Sequence, residues 1–85
     1  MEIEYSDKAE SDAREWIKSG NKKVQDKITR LIQSILETPF EGMGKPEPLK
    51  HNLSGKWSRR ITASDRIIYE VSETTLYVYS LKGHY

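Results

Sequence analysis

Cysteine is absent from the 85 residues. Its absence removes disulfides, thiolate metal sites and a cysteine nucleophile together, and it fits a reducing compartment. Long apolar runs are missing as well. No stretch approaches the ~20 residues of a membrane helix. The opening Met-Glu-Ile-Glu-Tyr has neither the basic region nor the apolar segment of a secretion signal. A soluble, cytoplasmic chain with no membrane partner is expected. Histidine occurs only at positions 51 and 84, too sparse for a typical histidine metal site, and no cofactor is expected. No serine sits in a nucleophile elbow. Residues 41–46, EGMGKP, are glycine-rich but lack phosphate-loop spacing, and Pro46 would block the helix that must follow. At this length there is room for one domain, residues 1–85, and no second core.

Net charge is only +1, so the balance alone names no partner. Its distribution is uneven. Residues 1–42 hold seven Lys/Arg against nine Asp/Glu, and residues 43–85 hold seven against four. Segment 45–66 concentrates Lys45, Lys50, Lys56, Arg59, Arg60 and Arg66 against Glu47 and Asp65. Such a half is either a solvated basic face or the side that meets an anionic partner.

Ile3 and Tyr5 alternate with Glu2 and Glu4, the pattern of a short strand. Ser6 or Asp7 can cap the helix that follows, and Asp7 with Glu10 has capping-box spacing. Ala9, Ala13, Trp16 and Ile17 then fall on one helical face. Gly20 ends that helix and Asn21 can cap the next. Val24, Ile28, Leu31, Ile32, Ile35 and Leu36 keep the 3.6-residue period of an amphipathic second helix, which Thr38-Pro39 terminates. So short a turn folds the pair into an antiparallel hairpin. Residues 39–55 read as loop. Three strands are predicted next, at 56–62, 65–71 and 75–81. In the first, Trp57, Arg59 and Ile61 oppose Ser58, Arg60 and Thr62. In the second, Ile67, Tyr69 and Val71 oppose Arg66, Ile68 and Glu70. The β-α-α-β-β-β order predicts an α+β fold, with the helix pair on one face of a small antiparallel sheet and the other face open.

The remaining reactive side chains are Arg, Lys, Glu, His and Tyr of the second half. That set suits RNA cleavage, in which the 2′-hydroxyl attacks its own phosphate. The step needs a base, an acid for the departing 5′-oxygen and fixed cations around the phosphorus. It needs no metal and no enzyme-bound intermediate. DNA lacks the nucleophile. A glutamate with an ordinary pKa of ~4.3 is a ready base, and a histidine near ~6.5 can still carry a proton.

Residues 39–62, PFEGMGKPEPLKHNLSGKWSRRIT, together with DRIIY at 65–69 and HY at 84–85, closely resemble the Txe/YoeB family of the RelE superfamily. The resemblance extends over essentially the whole chain. It implies a RelE-like fold and the toxin of a type II toxin–antitoxin system. That toxin would be an endoribonuclease cutting mRNA in the ribosomal A site, leaving a 2′,3′-cyclic phosphate or 3′-phosphate and a 5′-hydroxyl. By position, the resemblance implies Glu47 as general base, His84 as general acid and Arg66 as the cation stabilising the transition state. Lys50 and Arg60 match phosphate contacts, and Tyr85 the aromatic that shapes the site. Arg59 is expected either at the substrate or packing at the core edge. Implied partners are a YefM/Phd-like antitoxin, the ribosome with its RNA and mRNA, operator DNA only through the antitoxin complex, and a second copy in a homodimer. A ribosome-independent endoribonuclease and a non-catalytic RNA- or antitoxin-binding module of the same fold are the alternatives.

The sequence departs from the family at Ser64-Asp65, where many relatives carry Glu-His or a similar pair before the arginine. His51 is expected to be structural and to bond loop backbone. Trp57 and Tyr69 are expected to pack, and Tyr77 and Tyr79 to pack or to meet a second copy.

Overall fold

The structure, a computed structural model, describes residues 1–83. Strand β1 (Glu2–Tyr5) leads into helices α1 (Asp7–Ser19) and α2 (Lys22–Glu37). Then come a two-residue strand β2 (Glu47–Pro48), a 3-10 turn (His51–Leu53) and strands β3 (Trp57–Arg60), β4 (Arg66–Val71) and β5 (Thr75–Ser80).

The helix ends follow from their caps. The Ser6 hydroxyl, not Asp7, accepts from the Ala9 N–H, so Glu10 falls outside the capping-box position. Gly20 closes α1, and the Asn21 side chain opens α2 by accepting from the Val24 N–H. The two helices lie on one face of the sheet. Ala9, Trp16, Val24, Leu31 and Ile35 meet Ile61, Ile67, Tyr69, Leu76 and Val78 in one core. Ile17 does not join it. It is 66% exposed.

Strand order is β1-β5-β4-β3-β2. The meander β3-β4-β5 is antiparallel, as the short turns require. β1, however, pairs with β5 in parallel, Ile3 opposite Leu76. The sheet is therefore mixed rather than antiparallel throughout. The helix hairpin supplies the crossover that a parallel neighbour needs. At the far edge β2 was expected as loop; Glu47 pairs with Ser58 and Pro48 with Trp57. A strand two residues long with a proline at the rim suits an edge.

A buried carboxylate, Asp12, ties the end of β5 to α1. It accepts from the Leu81 and Lys82 N–H groups at 3.0 and 3.1 Å and from Lys8 Nζ at 2.7 Å. The Trp16 indole N–H donates to the Leu81 carbonyl at 2.7 Å. The segment after β5 is thus held along α1 by buried bonds, which are hard to exchange for water. No helix among the described residues is long and apolar enough to cross a membrane.

Candidate active site

Pairing register decides which side chains meet. Residues directly opposite on antiparallel neighbours project to the same side. Glu47 opposes Ser58, Ser58 opposes Ile68, and Arg60 opposes Arg66. Arg59 and Ile61 point to the helices, so Glu47, Ser58, Arg60, Arg66 and Ile68 share the opposite face, on which Ser58 and Ile68 are buried. The Arg66 guanidinium donates from Nη1 to the Ser58 hydroxyl at 3.4 Å. Glu47 and Arg66 are therefore brought together across one shared residue. Sequence reasoning did not select Ser58. Its only sequence signal was its place two residues before Arg60 in an alternating strand.

Arg60 and Arg66 face each other on neighbouring strands. Like charges directly opposite are destabilising. An anion bridging two guanidinium groups would relieve that repulsion and use their planar donors. Arg60 is exposed. Its backbone N–H donates to the Gly44 carbonyl at 2.7 Å, which stitches the 39–46 loop to the end of β3. Gly44 has φ +83°, and a Cβ there would lie 2.7 Å from Leu31 Cδ2 and 3.2 Å from the Arg60 carbonyl. The loop must press this closely to bring Glu47 to the edge of β3.

Lys50 is exposed and precedes the 3-10 turn. With Glu47 it lines a shallow groove formed by residues 47–53. The backbone of His51, at φ +59°, accepts from the Ser54 N–H to close that turn. The His51 ring is exposed. Lys56 Nζ sits 4.8 Å from the centre of the Tyr79 ring, and the Tyr79 hydroxyl donates to Glu70 at 2.9 Å. Burial, and then the bond and charge of Glu70, push the Tyr79 hydroxyl up to about 12.

Arg59 requires a correction. It was a candidate substrate contact, yet it is 0% exposed. Its five donors are all used. Nε donates to the Tyr69 hydroxyl at 3.1 Å. Nη1 donates to the Ser34 hydroxyl and the Met43 carbonyl at 2.8 and 3.1 Å, and Nη2 to the Thr38 and Glu41 carbonyls at 2.6 and 2.9 Å. Tyr69 in turn donates to the Pro39 carbonyl at 2.7 Å. A guanidinium so enclosed has no donor left for a phosphate. Arg59 instead holds the loop that carries Glu47. Trp57 packs against Phe40 with ring centres 4.8 Å apart, and Tyr69 is fully buried; both are packing residues, as expected. Burial raises the Tyr69 hydroxyl above its ordinary pKa, with Arg59 opposing the shift.

The expected acid His84 and the aromatic Tyr85 lie outside the described residues. Gly83 donates its N–H to Asp65 Oδ1 at 2.8 Å and accepts from the Arg66 N–H at 3.0 Å.

Comparison with known proteins shows the family and the fold. Residues 5–85 match the family model described as the YoeB-like toxin of bacterial type II toxin–antitoxin systems. Toxin YoeB of Escherichia coli K12 is 45% identical over 85 residues, the whole of both chains. The structure of a YoeB/ParE toxin from Agrobacterium tumefaciens superposes with a TM-score of 0.95 at 39% identity, covering 100% of each chain. A chain in a YoeB–YefM complex from Staphylococcus aureus superposes at 0.88 with 40% identity, covering 100% of this chain and 98% of that one.

Proposed function

The chain belongs to the YoeB-like toxins of bacterial type II toxin–antitoxin systems, and from that premise we propose that it is a ribosome-dependent endoribonuclease that cuts mRNA in the A site. Glu47 takes the proton from the 2′-hydroxyl of the substrate. The freed oxygen forms a bond to the adjacent phosphorus while the bond to the 5′-oxygen breaks. His84 delivers a proton to that leaving oxygen. Arg66 stabilises the charge that collects on the five-coordinate phosphorus, and Arg60 and Lys50 hold the phosphate. Tyr85 stacks on a base. The products are a 2′,3′-cyclic phosphate, opened in turn to a 3′-phosphate, and a 5′-hydroxyl. No step in this scheme calls for a metal.

The single observation that carries the reading is the meeting of Glu47 and Arg66 across Ser58, on the sheet face that the helices leave uncovered. A carboxylate beside fixed guanidinium groups is what in-line attack by a hydroxyl needs. The antitoxin is a YefM-like protein. Its C-terminal segment wraps this chain and covers or distorts the site, and the complex binds operator DNA.

The test adds the purified protein to ribosomes programmed with a defined mRNA, beside the same RNA without ribosomes. The expected outcome is cleavage only with ribosomes, ends as above, and persistence after chelation in ribosomes shown to be intact. Equal cutting of naked RNA would move the reading to a stand-alone ribonuclease. Cleavage by a folded Glu47→Ala protein at the wild-type rate would remove the assigned base.

A further inference from the structure

We infer that Asp65 is a positioning residue: it fixes Gly83, the residue to which His84 is joined in the chain. This rests on the reading above, in which His84 supplies the leaving-group proton. The Asp65 carboxylate is placed between two parts of the chain. Oδ2 accepts from the Thr62 hydroxyl at 2.6 Å, and Oδ1 accepts from the Gly83 N–H at 2.8 Å. The Thr62 hydroxyl itself accepts from the Ser64 and Asp65 N–H groups. The Asp65 carbonyl accepts from the Ile61 and Thr62 N–H groups. The turn between β3 and β4 is therefore closed on all sides and presents the carboxylate in one orientation.

Gly83 is gripped twice by consecutive residues. Its N–H meets Asp65 and its carbonyl meets the Arg66 N–H at 3.0 Å. It sits at φ +83°, the left-handed region, where glycine turns the chain at little cost. Upstream, Asp12 and Trp16 already hold Leu81 and Lys82 to α1. Among the described residues Asp65 is the side-chain anchor of Gly83, and it neighbours the arginine assigned to the transition state. A charge-assisted bond is stronger and shorter than a neutral one. Losing it removes one of the two bonds that hold Gly83, and the bond from the Arg66 N–H stays. A displacement of about 1 Å at a reacting group costs on the order of a hundredfold in rate.

The experiment compares wild type with Asp65→Ala, Asp65→Asn and Asp65→Glu on programmed ribosomes, with amide exchange at Gly83 measured on the same proteins. Asp65→Ala is expected to lower kcat roughly a hundredfold while the ribosome concentration at half-maximal rate stays put. Gly83 exchange should rise at least about tenfold. Asp65→Asn keeps an oxygen that accepts from Gly83 and should retain most of the rate. Asp65→Glu keeps the charge but shifts the anchor, so it should lose rate while staying folded. If Asp65→Ala does not fold, Asp65→Glu decides by the same two readouts. Unchanged kcat, unchanged Gly83 exchange, or a change only in the half-maximal ribosome concentration would overturn the assignment. If wild type itself cuts nothing, the proposed function falls, and Gly83 exchange still reports on the anchor.

Discussion

Replacing Arg59 by Met separates a structural cation from a substrate-binding one. Methionine keeps the apolar length of the stem but none of the five donors that bind Tyr69, Ser34, Met43, Thr38 and Glu41. Bonds to a charged group contribute roughly 1.5–3 kcal/mol each, so the gross loss is about 8–15 kcal/mol. Most of this is offset, because a buried ion no longer has to be stripped of water, at a cost of several kcal/mol. A net destabilisation of about 3–5 kcal/mol remains. For a domain this small the whole stability is about 4–13 kcal/mol, so the variant sits near the edge of folding. The melting temperature should drop by roughly 15–30 °C, read by far-UV circular dichroism with urea unfolding at low temperature. Arg59→Lys should not rescue it: an ammonium has three donors, cannot fill the five positions and leaves a charge buried. Stability within about 1 kcal/mol of wild type, combined with lost cleavage, would contradict the buried role and return Arg59 to the substrate.

Gly44→Ala should destabilise by roughly 2–4 kcal/mol through positive φ and overlap with Leu31; a urea midpoint equal to wild type would show that the loop is not held as described. On programmed ribosomes Glu47→Gln should lower kcat about 10²–10⁴-fold, whereas Arg60→Ala should mainly weaken binding of the substrate phosphate; a kcat effect larger at Arg60 than at Glu47 would reverse the two roles. Tyr69 and Tyr79 both hold their protons more tightly folded than unfolded. Stability from both groups is complete below pH 10; the Tyr79 share is lost as pH rises from there through about 12. Tyr79→Phe should flatten that alkaline loss in urea midpoints taken below and above pH 10, and an unchanged slope would mean that Tyr79 does not contribute.

Much of the fold was legible because it is local. The 3.6-residue period of Val24 to Leu36, the Gly20-Asn21 junction and the alternation in the last three strands each depend on neighbours a few residues apart. The site residues Glu47, Arg60 and Arg66 were singled out by a long, ordered run of matched positions rather than by any periodic signal. Arg59 misled because a long cationic side chain inside an alternating strand reads equally as surface or as core. Its acceptors lie in Ser34 and in the 38–43 loop, far away in sequence. Nothing local marks Asp12 for the same reason, since its backbone partners are 69 and 70 residues on.

The chain's own order of residues was enough to set two amphipathic helices, three tight-turned strands and a basic second half. Periodicity and turn chemistry act over one or two turns of backbone, and nothing distant is needed to read them. Three things waited for the folded molecule: β1 lying parallel to β5, Arg59 turned inward, and the bonds of Ser58 to Arg66 and of Asp65 to Gly83. A strand's period of two is the same in either direction of pairing. Whether a polar group is buried depends on acceptors that only the closed fold brings to it.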